Sequence, residues 1–380
     1  MNYQTTSTLH PAWSMPFAEL ISGLDEAWLQ GAAYSRTNND GLQLWNYTDR
    51  CVYEKMWTPI TISARGLIVD PANQKIVATP FPKFFNLGER PDAVPSTPFE
   101  VFEKVDGSLI IIFFHNEKWQ TTTRGAFGTE QAKWAEKKLE SLNLAALEIG
   151  TTYLAEAVYA ENRIVVSYDE PQLVLLSAYN NKGQELNGSD VDDVASRLRT
   201  RAAKRYQFES MSQILEAASS LPRSEEGYVL RFESGHRLKV KGAEYRRIHA
   251  LISRVTPLAI WEMILNRDDL NSIRRDIPEE YWRDFDDIRA IFEARSNALI
   301  DKIAAFAKMT AKLSDKEIGL QVNSFDPEIR KFIFAFRKSG ISFLDIARNR
   351  EAFWRNLRPT ANELEGYVPS NALERIMQEG

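Results

Sequence analysis

From about Leu42 to Val77, short apolar stretches alternate with turn residues, and Ala64-Arg65-Gly66-Leu67-Ile68-Val69-Asp70-Pro71 reads as a strand followed by a turn. The signal strengthens between Phe99 and Thr123. Phe99, Val101 and Glu103, then Leu109 to Phe114, then Trp119 to Thr123 predict three strands, joined by Asp106-Gly107 and by His115-Asn116-Glu117. The expected arrangement is an antiparallel meander. A helix follows over Thr129 to Leu142, with Ala132, Ala135, Leu139 and Leu142 on one face, and further strands are expected at Tyr153 to Val158, Ile164 to Ser167 and Leu173 to Ala178. Ser189 is placed to cap a second helix, whose Val191, Val194 and Leu198 share a face. Gly227 to Glu233 and His236 to Lys241 flank Ser234-Gly235 as a hairpin.

Beyond the hairpin the strand signal ends. Thr256-Pro257 is a cap-and-first-turn signal, and Ile288, Ile291, Phe292, Leu299, Ile303 and Phe306 recur at helical spacing. The expected fold class is α+β, with an antiparallel-sheet domain over residues 1–247 and an all-α domain over 248–380. The sequence holds no internal repeat and no low-complexity segment.

Composition narrows the function classes. With 44% hydrophobic and 26% charged residues in 380, the chain is neither largely disordered, nor collagen-like, nor a small disulfide scaffold. Cys51 is the single cysteine, and His10, His115, His236 and His249 lack metal-ligand spacing, so no zinc site is expected. The longest apolar run, around Leu109 to Phe114, is too short for a membrane span, and the chain's start lacks the build of a signal peptide. A soluble, cytoplasmic protein is expected. A net charge of −5 means that any nucleic-acid site must be a local basic groove. The run Arg197, Arg199, Arg201, Lys204 and Arg205 reads equally as an RNA-facing surface and as a solvated face.

The chemistry concentrates in Glu103-Lys104-Val105-Asp106-Gly107-Ser108. Taken alone, Asp106-Gly107 between apolar strands reads first as a hairpin turn. In company it reads differently. Lys-x-Asp-Gly resembles the active-site motif of the nucleotidyltransferases that form a covalent lysyl-nucleotide, a group holding polynucleotide ligases and messenger-RNA capping enzymes. Tyr153-Leu154-Ala155-Glu156-Ala157-Val158, Glu225-Glu226-Gly227-Tyr228-Val229 and Leu238-Lys239-Val240-Lys241 follow in the order of that group's later motifs. Ala64-Arg65-Gly66-Leu67, Lys83-Phe84-Phe85-Asn86-Leu87, Asn162-Arg163-Ile164-Val165 and Tyr245 bring the resemblance closest to the phage-type tRNA-repair RNA ligase 1 family, from about Leu42 to Tyr245.

That resemblance implies an ATP-dependent RNA ligase that joins a 5′-phosphate to a 3′-hydroxyl through a lysyl-AMP on Lys104 and an RNA-adenylate. It implies Lys239 and Lys241 as further catalytic residues. The implied nucleotide site comprises Arg65, Lys83, Lys104, Asp106, Gly107, Arg124, Glu156, Glu226, Lys239, Lys241 and Tyr245. Glu226 and Glu156, with Asp268 and Asp269, would serve Mg²⁺ or Mn²⁺. Arg124 stands where the family more often has lysine, and Trp45 where it has a tyrosine. The implied partner is RNA, such as a nicked tRNA, with a separate end-healing kinase and phosphatase and no membrane, and the chain is expected to be a monomer. DNA ligase, capping guanylyltransferase and a non-catalytic RNA-binding protein are the alternatives. A lysine attacks phosphorus only as the neutral amine, so burial and the neighbouring Lys239 and Lys241 are expected to lower the pKa of Lys104.

Overall fold

The computed structural model describes residues 8–90, 94–277 and 281–370. They fall into two compact units that divide between Arg246 and Arg247. In chain order the first unit contains strands β1 (Ala33–Thr37), β2 (Gln43–Tyr47), β3 (Arg65–Asp70), β4 (Lys75–Ala78), β5 (Phe85–Asn86), β6 (Phe99–Glu103) and β7 (Ser108–His115). They are followed by β8 (Lys118–Thr123), β9 (Thr152–Val158), β10 (Gln172–Tyr179), β11 (Arg205–Tyr206), β12 (Gly227–Phe232) and β13 (Arg237–Lys241). Three sheets result, ordered β1-β2-β3-β4, β10-β9-β7-β8 and β11-β6-β12-β13-β5. Every pairing is antiparallel except β13 with β5.

Strand β7 shows why the apolar run at Leu109 to Phe113 is continuous rather than alternating. Ile111 and Phe113 pack with Leu42, Leu44, Ile68 and Ala78 of the first sheet, while Ile110 and Ile112 pack with residues of the helices Glu130–Leu139 and Gly188–Leu198. Successive side chains point to opposite faces, and here both faces are covered. The third sheet buries Val101, Leu230, Phe232 and Val240 against Ile214 and Ala218 of the helix Met211–Ser219.

Three sequence expectations change. The meander over Phe99 to Thr123 does not form, because β6 pairs with β12 and β11 while β7 pairs with β8 and β9. Asp106-Gly107 therefore lies on a crossing between two sheets and is not a hairpin turn. Ile164 to Ser167 is not a strand, since the Val165 and Val166 amides donate to the Asp106 carboxylate at 2.9 and 2.8 Å rather than to a neighbouring strand. Asn187, not Ser189, caps the helix Gly188–Leu198, accepting the Asp190 amide at 2.9 Å.

One buried ionic cluster ties the second sheet to the third. Glu185 accepts from Ser177 of β10 at 2.5 Å, pairs with Arg237 of β13 and lies 3.5 Å from the Arg231 guanidinium of β12. Burial alone would raise the Glu185 pKa, but the two guanidinium groups outweigh it and hold the carboxyl below its usual value. The second unit is helical among the described residues, from Pro257–Asn266 through the 28-residue Trp282–Met309 to Ala347–Asn356. Phe332, Phe343 and Phe353 meet in its core, with ring centroids 5.6–6.0 Å apart.

Glu185→Ala is expected to destabilise the first unit by about 3–5 kcal/mol, because two buried guanidinium groups lose their counter-charge. Urea denaturation checks this. In the wild-type protein the same contribution is present above the unfolded carboxylate pKa and is lost as pH falls through the lower folded value. The stability gap between wild type and variant should therefore close in acid.

Candidate active site

The register of the third sheet builds the site. Tyr228 of β12 pairs with Glu103 of β6 and Gly227 pairs with Lys241 of β13, so Lys104, Glu226 and Lys241 meet at one end of the sheet. The Lys104 amide donates to the Gly227 carbonyl at 2.9 Å. Its Nζ donates to Glu226 Oε2 at 2.6 Å, and Lys241 Nζ lies 3.2 Å from the other oxygen, Oε1. Lys239 is two residues before Lys241, on the same face of β13, with its Nζ 4.8 Å from the centre of the Phe84 ring.

Two glycines make this approach possible. A Cβ on Gly107 would stand 2.4 Å from the Ala157 carbonyl and 3.1 Å from Glu156 Cγ, so only glycine lets the chain pass that close to β9. Gly227 has a φ of +148°, and a Cβ there would meet the Val240 carbonyl at 2.1 Å. Asp106 has an anchoring part: besides the two amides, its Oδ1 accepts from the Tyr245 hydroxyl at 3.0 Å. Burial and the Glu226 charge push its carboxyl up to about 7.

The charge states differ from the expectation for Lys104. Burial lowers its pKa, but the Glu226 and Glu156 carboxylates outweigh burial and hold the ammonium above its usual value. The lysine whose pKa falls is Lys239. It is half-buried and surrounded by Lys104, Arg65, Lys83 and Lys241, and desolvation together with their charges holds its pKa well below the ordinary value. Repulsion from Lys239 and Lys241 is thus present at the site, but it is weaker at Lys104 than the pairing with Glu226.

A second group of cations gathers around Tyr47 at the end of β2. Arg124 Nη1 donates to the Tyr47 hydroxyl at 2.8 Å, and the Lys83 ammonium lies 5.4 Å from the ring centre. Arg65 lies over the Phe84 ring at 5.7 Å, and its buried Nη1 has no hydrogen-bond partner among the described residues. Burial would raise the Tyr47 pKa, but Arg124, Arg65 and Lys83 outweigh it and lower it. An orphaned guanidinium donor beside two further cations suits an anion with several oxygens, such as phosphate.

These positions fall largely within one stretch of known sequence. Residues 63–245 match a family model described as RNA ligase. This segment is similar to the RNA ligase family. The chain is 27% identical over 239 residues to a protein of Autographa californica nuclear polyhedrosis virus, provisionally named a bifunctional polynucleotide kinase/RNA ligase. That match covers 55% of this chain and 34% of the viral protein, so the chain spans about a third of this relative's length. An RNA ligase of Rhodothermus phage RM378 is 21% identical over 306 residues, covering 60% of this chain and 68% of the phage protein. Among solved structures, an archaeal ATP-dependent RNA ligase aligns with a TM-score of 0.48 and 14% identity, covering 96% of this chain and 98% of that one.

The matched segment brings Lys104, Asp106, Gly107, Glu156, Glu226, Lys239, Lys241 and Tyr245 into one neighbourhood, and Arg65, Lys83 and Arg124 into the adjoining cation group. Asp268 and Asp269 belong to the second unit, where Asp269 caps the helix Leu270–Asp276 by accepting the Asn271 and Ser272 amides. Sequence reasoning passed over Tyr47, upstream of the segment. Its only signal was its place beside Trp45-Asn46, one strand away from Arg65. Three members of the basic run are paired with carboxylates: Arg201 forks onto Glu103 at 2.6 and 3.1 Å, Arg205 pairs with Asp192, and Arg197 lies 3.1 Å from Asp193.

Among the described residues no three metal-ligating side chains converge. Glu226 and Glu156 nevertheless supply hard oxygens beside the cations, a set that fits Mg²⁺, which keeps several waters and takes few carboxylates. Glu226→Gln is expected to lower the Lys104 pKa, because burial then acts without the opposing carboxylate. The pH dependence of Lys104 acylation, followed by peptide mass spectrometry, measures it. An unchanged profile would mean that the pair does not hold the ammonium.

Proposed function

We propose that the protein is an ATP-dependent RNA ligase that joins a 5′-phosphate to a 3′-hydroxyl through lysyl-AMP. The observation that carries this reading is the position of Lys104. It is a half-buried lysine on a tight inter-sheet crossing, paired with Glu226 and flanked by Lys239 and Lys241. A merely structural lysine needs no such surrounding group of further cations, whereas displacement at phosphorus does.

In the first step the neutral Lys104 Nζ attacks the α-phosphorus of ATP. A P–N bond forms, the bond from the α-phosphorus to the bridging oxygen breaks, pyrophosphate leaves, and the amine loses its extra proton. Phosphate charge arriving among Lys239, Lys241 and Arg65 competes with Glu226 for the local cations and loosens its hold on Lys104. In the second step an oxygen of the RNA 5′-phosphate displaces Lys104 from the AMP phosphorus, leaving a 5′,5′-pyrophosphate linkage. In the third, the 3′-hydroxyl oxygen attacks the RNA phosphorus, its proton departs, and AMP is released.

Each displacement develops negative charge on non-bridging oxygens, so one group of cations serves all three. Lys83, Arg65 and Arg124 are assigned to phosphate oxygens, with Lys83 on the departing pyrophosphate. Tyr47 holds Arg124 in place. Asp106 and Gly107 set the lysine's approach, and Tyr245 steadies Asp106. Glu156 is assigned to the nucleotide sugar or to the metal's water shell. Mg²⁺, held by Glu226 and Glu156, supplies neutralisation of phosphate charge when bound. Residues 247–380 are assigned to RNA selection, a nicked tRNA being one substrate of the required chemistry. Ends of other chemistry need a separate kinase and phosphatase first.

Sealing of 5′-phosphorylated RNA with Mg²⁺ and ATP tests the reading, with DNA and GTP in parallel. Lys104→Ala is expected to abolish sealing of 5′-phosphorylated RNA yet still join pre-adenylated RNA, which bypasses the lysyl intermediate. Lys239→Ala is expected to slow sealing by about 10²–10³-fold, the usual effect of removing one electrostatic donor. A preference for DNA ends or for GTP would replace this reading by a DNA ligase or a capping enzyme.

A further inference from the structure

Beside the lysine cluster lies a cavity of about 350 Å³, in the size range of ligand pockets. One side comes from Lys83 to Gly88, another from Leu9 and its neighbours, and a third from the turn and strand Ser234 to Leu238. Phe84, Phe85 and Leu238 make apolar walls, and none of the described lining residues is acidic.

Its charge is positive in a specific way. Arg237 contributes little net field, because Glu185 neutralises it. Lys83 makes no salt bridge among the described residues; its ammonium rests on the rings of Tyr47, Trp57 and Phe85 at 5.2–5.4 Å. Arg90 lies over the Phe85 ring at 4.9 Å, and the His236 imidazole also lines the cavity. Aromatic and aliphatic walls beside the Lys83 ammonium suit a flat base that carries a phosphate.

Two residues connect this cavity to the reaction site. Phe84 lines the cavity, and the same ring carries Lys239 and Arg65 at 4.8 and 5.7 Å. Lys83 lines it too, and it acts on Tyr47 in the phosphate-binding group. A strand with one phosphate among those cations thus has a neighbouring nucleotide within reach of the cavity.

We infer that this cavity binds one nucleotide of the RNA strand next to the end being joined, with the base between the apolar walls and its phosphate at Lys83. The inference rests on the ligase reading for the identity of the strand. Recognition by the walls does not depend on which base is present. The Asn86 side chain, a candidate for reading base edges, is engaged by Glu89 at 2.7 Å.

The test measures binding of 5′-phosphorylated single-stranded RNA by fluorescence anisotropy, with AMP loading of each protein followed in parallel. Leu9→Trp fills the cavity from an exposed wall position, His236→Glu adds a negative charge, and Leu9→Ala enlarges the cavity. Leu9→Trp and His236→Glu should raise the RNA Kd about tenfold, as expected for one lost base contact, with AMP loading unchanged. Leu9→Ala should bind as wild type does. RNA carrying 4-thiouridine near its 5′ end should crosslink to the peptide containing Phe84 and Phe85.

Wild-type affinity in both altered proteins, or no binding of RNA by the wild type, would overturn the inference. So would a change in pyrophosphate-driven loss of AMP without a change in RNA affinity, which would assign the cavity to the leaving group. A wild type that binds RNA through the cavity but takes up no AMP would retain the cavity's role and remove the ligase reading.

Discussion

The arrangement depends on one buried carboxylate. Glu226 is 3% exposed and divides its two oxygens between Lys104 and Lys241. Burial alone would raise its pKa, but the two ammonium groups outweigh burial and keep it ionised. Its place is fixed by the β6-β12-β13 register and by Gly227, which lets β12 begin against the Val240 carbonyl. Removing one partner from such a pair leaves an uncompensated buried charge, so the sheet and the reactive lysine are held by the same interaction.

Around that pair the charges are deliberately unequal. Lys104 and Lys241 have Glu226 between them, while Lys239, Lys83 and Arg65 face one another and aromatic rings. Neighbouring cations repel, and that repulsion costs stability until an anion enters. Phosphate therefore gains most at the positions where the free protein is least satisfied. In the proposed reaction this is how binding energy is turned toward the transferring group while Lys104 is freed from its carboxylate.

The sequence made the strands and the reactive residues legible, but it misassigned how they connect. Short apolar runs bounded by turn residues located β6, β7, β8, β12 and β13 to within a residue or two. The same pattern made Asp106-Gly107 read as a hairpin, since nothing local distinguishes a turn from a crossing between sheets. The difference is a contact more than 50 residues away in sequence, between Asp106 and the amides of Val165 and Val166. Charge states were hidden for the same reason. Counting lysines predicted a depressed Lys104, yet the pairing of β6 with β12 brings Glu226 to it and moves the depressed pKa to Lys239.

The central claim is that Lys104 is the nucleophile in this cluster. It is tested most directly by incubating the protein with Mg²⁺ and ATP, digesting it, and locating any AMP by peptide mass spectrometry. The account predicts AMP on Lys104 in an acid-labile phosphoramidate, with Lys83, Lys239 and Lys241 unmodified. AMP on another lysine, or none on protein shown to start free of AMP, would contradict it.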